Sequence, residues 1–174
     1  ALGYNAGLSV TTGVQNTLIG GAAGDALTDA DGNVALGTLA LTSDTLGSDS
    51  IAIGNNALSS QNFTTATSSY NVAIGKNAGL DITTGTLNTL IGGLAGDALT
   101  SGNGNVAVGY NTLGADTLGD RNVALGNHAL SSQNFTTTTD AYNVAVGFLT
   151  GASVTTGTQN TFVGGQAGDG TDDG

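Results

Sequence analysis

The chain has no cysteine, proline, methionine, tryptophan or glutamate, and its only basic residues among 174 are Lys76 and Arg121. Without glutamate and with almost no lysine or arginine it lacks the strong polar helix formers, while its abundant Thr, Val, Ile, Asn, Gly and Asp favour strands joined by turns. Helix is expected to be scarce. The thirteen aspartates leave a net charge of -11. That charge argues against a nucleic-acid partner, since phosphate binding needs clustered Lys and Arg, and it disfavours adhesion to anionic membranes. No run approaches the roughly 18 apolar residues of a membrane-spanning helix. With a single histidine, His128, and neither Cys nor Glu, the inventory of acids, bases and nucleophiles is too thin for an enzyme. One super-repeat earlier the place of His128 is taken by Asn56, a neutral amide. The absence of cysteine does not fix the redox compartment, because a repetitive fibre needs no disulfide.

What the chain has in quantity is repetition. The pattern Asn71-Val72-Ala73-Ile74-Gly75 returns from end to end, and its glycines (Gly3, Gly20, Gly37, Gly54, Gly75, Gly92, Gly109, Gly126, Gly147, Gly164) are spaced by 17, 17, 17, 21, 17, 17, 17, 21 and 17 residues. Four coils make a 72-residue super-repeat, so that Thr11-Thr12-Gly13 matches Thr83-Thr84-Gly85 and Thr155-Thr156-Gly157. The chain is one continuous repeat domain, 1–174, with super-repeats at about 1–72 and 73–144 and a partial one at 145–174. It opens in the middle of its own motif, which suggests a processed product or a piece of something longer. A fixed period of this size predicts an all-β, parallel β-solenoid of about ten coils of 17–21 residues, stabilised by stacking because no single coil can bury its apolar face alone. At ~4.8 Å per rung, ten coils would make a rod about 48 Å long.

Strand side chains alternate with period two, so the second and fourth motif positions (Val34 and Leu36, Ile51 and Ile53, Val72 and Ile74) share a face. The fourth position, always Ile, Leu or Val, is the best core candidate. The third position then faces outward, where Leu18, Leu90 and Phe162 would need cover from a neighbouring subunit and are the inter-subunit contact candidates. After the glycine two kinds of coil alternate in pairs: Gly79 and Gly96 are followed three residues later by Ile82 and Leu99, whereas Leu113 and Leu130 are followed by Asp116 and Gln133. Gly plus aliphatic exchanged for Leu plus polar reads as volume compensation in a narrow shared core. The motif asparagine has two accounts, a ladder of amides along the axis or tolerance of a left-handed turn. The tail from Gly170 to Gly174 has no aliphatic where Leu27 and Leu99 stand, and reads as frayed or as the boundary of the repeats.

The 21-residue coils carry four extra residues within 59–70 and 131–142, and with them half of the aromatics, Phe63, Tyr70, Phe135 and Tyr142. Aromatic faces among Asn, Gln and Thr, on loops of a rigid scaffold, are the recognition candidates; the competing reading is that Phe63 and Phe135 plug the core or a subunit junction. Asn62-Phe63-Thr64 and Asn134-Phe135-Thr136 also fit a glycosylation sequon, one event copied by duplication. Asp29-Ala30-Asp31-Gly32-Asn33 has the alternating oxygen donors of a calcium loop, and Asp25 and Asp97 recur after Ala-Gly. The equivalent stretch Ser101-Gly102-Asn103-Gly104-Asn105 has lost both carboxylates, which favours solvated turn residues over calcium; no cofactor is expected. Ice binding requires a flat ladder on successive coils, and Thr-Thr-Gly recurs only every fourth.

The phrases Asn71-Val-Ala-Ile-Gly-Lys-Asn-Ala78 and Asn105-Val-Ala-Val-Gly-Tyr-Asn-Thr112 resemble the head repeats of YadA-type trimeric autotransporter adhesins. They resemble equally the repeats of bacteriophage tail fibres that precede a self-cleaving chaperone domain. The resemblance spans the chain and implies a left-handed β-roll, three chains side by side, and an extracellular, virion-surface or cell-surface fibre. The expected function is the shaft or head of such a fibre, self-associated as a homotrimer and presenting loops to a host-surface glycan or receptor. A purely structural subunit of a polymerised filament is the alternative, motivated by open β edges at both ends.

Overall fold

The computed structural model describes residues 1 to 170, and among them there is no helix and every paired strand is parallel. The strands are β1 (Thr17–Ile19), β2 (Val34–Leu36), β3 (Gly47–Ser48), β4 (Ile51–Ile53), β5 (Thr67–Ser68), β6 (Val72–Ile74), β7 (Thr89–Ile91), β8 (Val106–Val108), β9 (Gly119–Asp120), β10 (Val123–Leu125), β11 (Thr139–Asp140), β12 (Val144–Val146) and β13 (Thr161–Val163). Nine of them are motif copies and form one sheet, β1-β2-β4-β6-β7-β8-β10-β12-β13. They stack in strict register, as in Val72↔Thr89, Ala73↔Leu90 and Ile74↔Ile91. A bridge from Leu2 to Ile19 continues the ladder to the truncated first copy. The chain is a parallel β-solenoid, as the repeat predicts. Part of the tail singled out above, residues 171–174, lies outside the described residues.

The alternation along each strand holds, but its parity is the reverse of the expected one. The third motif position points inward: Ala35, Ala52, Ala73, Leu90, Ala107, Ala124 and Ala145 are fully buried, and Leu18 nearly so. The second and fourth positions lie on the outer face, half-buried or exposed. Asparagine sets this parity. Asn71 Nδ2 donates to the Gly85 carbonyl at 2.7 Å, while its Oδ1 accepts the backbone N–H of Asn88 at 3.0 Å. Asn88, Asn105 and Asn122 continue the chain of acceptors. These bonds satisfy interior backbone groups that water cannot reach, so the asparagine must point inward and the residue two further on follows it. The motif asparagines from Asn33 to Asn143 have no positive φ. The left-handed residue is the one before, for example Tyr70, Leu87, Arg121 and Tyr142, at φ of 50 to 62°.

The interior is too narrow for uniform aliphatics, and the two kinds of coil fill it differently. Where Leu18 or Leu90 points inward, glycine stands opposite: a Cβ on Gly24 would lie 2.7 Å from Leu18 Cδ2 and 2.8 Å from Leu27 Cδ1. At Ala35, Ala52, Ala107 and Ala124 that place is taken by Leu41, Leu58, Leu113 and Leu130, each fully buried at a φ of 50 to 53°. Ala73 and Ala145 keep glycine, Gly79 and Gly151, because Leu58 and Leu90 or Leu130 and Phe162 of the adjoining coils reach into the space. A left-handed leucine costs about 1–2 kcal/mol, and burying its side chain returns about 1.5–3 kcal/mol. The motif glycine has a different reason. Gly75 has φ +142°, and a Cβ there would collide with the carbonyl oxygen of Gly92 on the next rung.

Candidate functional site

The outer face of the nine-stranded sheet is a two-column array. One column is Thr17, Val34, Ile51, Val72, Thr89, Val106, Val123, Val144 and Thr161; the other is Ile19, Leu36, Ile53, Ile74, Ile91, Val108, Leu125, Val146 and Val163. It carries no charge, on a chain of net charge -11. The residue just before each strand's asparagine and the residue just after its glycine form the two borders. Tyr70, Leu87 and Tyr142 stand exposed on the first border, and Tyr4, Tyr110 and Phe148 on the second. Every tyrosine of the chain therefore flanks this face. Charge depletion and aromatic enrichment are the composition of a protein interface core and its anchors.

This arrangement corrects the inter-subunit candidates. Leu18 and Leu90 are 3% and 0% exposed and are covered by their own chain, and Phe162 is partly buried against the same core cluster. The apolar surface left on the outside of the chain is the valine, isoleucine and leucine array expected to lie inside.

The insertion coils separate their four aromatics. Phe63 and Phe135 are buried, at 7% and 5% exposed, and a Cβ on Gly47 would lie 2.8 Å from the Phe63 ring. They are plugs and are not presented to a ligand. Tyr70 and Tyr142 are 57% and 47% exposed. Tyr142 has the Arg121 guanidinium 5.8 Å from its ring centroid, and Arg121 is ion-paired with Asp140. The extra residues supply β5 and β11, which pair with β3 and β9 of the preceding coil.

Beneath each insertion runs a buried polar chain that the sequence reading treated only as a change of volume. Asp116 Oδ1 accepts the backbone N–H of Gly119 at 3.1 Å and of Phe135 at 3.2 Å, and Gln133 Nε2 donates to Oδ2 at 2.6 Å. Asn143 Nδ2 in turn donates to Gln133 Oε1 at 2.8 Å. Burial pushes the Asp116 carboxyl above its ordinary value, against the pull of four donors. Asp44, Gln61 and Asn71 repeat the chain one super-repeat earlier. There Ser50 and Ser69, hydroxyls 2.5 Å apart, stand where Asn122 and Ala141 stand in the second copy. One amide replaces two hydroxyls in the same space.

Three of the four calcium candidates hydrogen-bond to neighbouring residues. Asp29 Oδ1 accepts the hydroxyl of Thr12, Asp31 Oδ1 accepts the backbone N–H of Val14 at 2.7 Å, and Asp25 Oδ1 accepts the hydroxyl of Thr42 at 2.6 Å. Among the described residues no three acidic or histidine side chains come together to hold a metal ion, and no pocket is enclosed. Asp97 differs from Asp25 because Gly114 stands where Thr42 would be, and its Oδ1 is buried without a hydrogen-bond partner. Burial, with a smaller contribution from the Asp81 carboxylate, raises the Asp97 pKa. A carboxyl that binds its proton more readily folded than unfolded adds stability at low pH, and that stability is lost as pH rises through the folded pKa. Asp97→Asn is therefore expected to raise the thermal midpoint at pH 7, by an amount that disappears as pH falls towards the unfolded carboxylate range. Midpoints that differ equally at both pH values would contradict this account of Asp97.

His128 sits at a turn with its ring edge-on to Tyr110, centroids 5.6 Å apart, and its Nδ1 3.1 Å from Asn111 Nδ2. No nucleophile faces it in these contacts. No protein-family model, curated protein or solved structure matches the chain.

Proposed function

We propose that the chain is a rigid segment of a surface fibre, the shaft or head of a phage tail fibre or of a cell-surface adhesin. Three copies assemble side by side with their outward sheet faces turned to a common axis. The observation that carries this reading is the uncharged double column of Val, Ile, Leu and Thr running the length of the sheet. A monomer in water gains nothing from such a stripe, whereas a neighbouring copy would bury it. The resemblance of the Asn-Val-Ala-Ile-Gly repeats to trimeric adhesin heads and tail-fibre repeats supports the same assembly, and with it an extracellular, virion-surface or cell-surface location. Attachment to a host glycan or receptor then falls to the exposed hydroxyl-rich parts of the insertions, such as Thr64, Thr65, Thr136 and Thr137.

Light scattering on the purified chain tests the assembly. A mass of three times 16.8 kDa, with short discrete rods in electron micrographs, is the expected result. A mass of one chain would remove the fibre reading, and filaments of unlimited length would favour the polymer alternative.

A further inference from the structure

Each strand of the outer face begins at one border residue and ends at another, and exposed aromatics stand on both borders, Tyr70 and Tyr142 on the first and Tyr110 and Phe148 on the second. On β7 the pair is Leu87 and Gly93, and on β8 it is Gly104 and Tyr110: a large residue on one border goes with glycine on the other. On β12 both are aromatic, Tyr142 and Phe148. On β6 Tyr70 goes with Lys76, which is exposed and has no salt bridge. The other two charged border residues, Asp49 and Arg121, are matched with the neutral amides Asn55 and Asn127. No rung places like charges, or two glycines, at its two ends. Within one chain the two ends of a strand cannot touch, because six residues of extended chain separate them by ~20 Å. Along one border successive rungs do touch, as where the Tyr110 ring lies 3.5 Å from a Cβ on Gly93, but the two ends of one strand can meet only through another copy.

Resting on the fibre reading above, we propose that neighbouring copies meet border to border at equal height. The border before the strand on one copy packs against the border after the strand on the next, so that Tyr70 meets the neighbouring copy's Lys76 and Tyr142 meets the neighbouring copy's Phe148. The contact is heterologous and closes into a ring, leaving the aliphatic columns to fill the centre. It also fixes axial register. A slip of one rung would move Tyr142 from Phe148 to Asn127 or Gly165, and Tyr70 from Lys76 to Asn55 or Gly93. The aromatic pair and the cation over the tyrosine ring are repeated at every interface. Tyr70 and Tyr142 thus pass from receptor recognition to the joint between subunits. Their exposure in one chain follows from that role.

The native chain has no cysteine, so introduced thiols report the contact without background. Tyr142→Cys/Phe148→Cys, treated with a short bis-maleimide, is expected to run on a denaturing gel as linked two-chain and three-chain species. Its linked fraction should be at least ten-fold above that of either single variant. Leu87→Cys/Gly93→Cys is the second pair; a Cβ on Gly93 makes ordinary contacts with the Tyr110 ring at 3.5 Å and the Lys76 carbonyl oxygen at 3.9 Å, so it keeps the fold. Single variants that link as well as the doubles would show like borders meeting and overturn the proposal. Doubles that stay at chain mass while light scattering gives three chains would overturn the border contact and leave the fibre reading standing. A light-scattering mass of one chain for the native protein would overturn both.

Discussion

Ile74→Asp is expected to reduce the assembly to single chains while leaving the coil folded. Ile74 lies on the outer face of β6, half-buried, with its backbone held in the ladder between Ile53 and Ile91. In the isolated chain a carboxylate there remains in water, so the cost is the poor strand propensity of aspartate, about 1 kcal/mol or less. In the trimer three such carboxylates would converge on the axis in place of three buried isoleucines. The lost burial alone is about 1.5–3 kcal/mol per side chain, and the gathered charge adds to it. Summed over three chains, about 5 kcal/mol or more corresponds to at least three decades in the association constant. The measurement is light scattering beside circular dichroism: mass falling to one chain with an unchanged spectrum is the expected pair of results. Ala73→Asp, one residue away and fully buried, should instead abolish the fold. If Ile74→Asp unfolded the chain and Ala73→Asp did not, the parity of the strand would have to be reversed again.

That parity is the main point at which sequence and structure part. Period, coil length, the 72-residue super-repeat and the exchange of Gly plus aliphatic for Leu plus polar can all be read from spacing, and the solenoid carries each of them. Orientation cannot be read from hydrophobicity alone, because both faces of the strand are apolar. The usual inference that the largest aliphatics of the strand lie inside fails here, since most inward strand positions hold alanine, and Leu18 and Leu90 fit only where glycine stands opposite. Asn71 held the missing information. An amide repeated on every rung is needed where carbonyls and N–H groups are shut away from water, so its own side of the strand is the inside and Ala73 shares that side. The same lesson applies to Phe63 and Phe135, whose place among Asn, Gln and Thr suggests a binding loop. The alternating burial Gln61, Phe63 and Gln133, Phe135 returns them to the core side. That the uncharged aliphatic array lies outside, between two borders, is legible only after this correction.

The buried polar chain offers the sharpest test of what holds the insertion coils. Gln133→Leu keeps the volume but removes the side-chain donor to Asp116 Oδ2 and one of the two acceptors of Asn143 Nδ2, whose other bond, to the Gly157 carbonyl, remains. A carboxylate left with one oxygen unpaired in the interior, together with one unpaired amide N–H, should cost roughly 3–5 kcal/mol at pH 7. For a chain of this size that lowers the thermal midpoint by about 10 °C. The dependence on pH separates this cause from mere repacking. Burial already holds the Asp116 pKa above the unfolded value, and losing the Gln133 donor moves it further up. The native state then takes up a proton before the unfolded state does, so stability rises as pH falls through the folded pKa, until both states are protonated. The deficit of Gln133→Leu should accordingly be largest near neutrality and shrink as pH is lowered towards 4. Gln61→Leu should lose more, because Gln61 Nε2 also donates to Ser50 Oγ at 2.9 Å. A Gln133→Leu protein as stable as the parent at pH 7, or a deficit constant from pH 7 to pH 4, would show that packing of Phe135 and Leu130 holds the insertion coil and that the Asp116 to Asn143 chain does not.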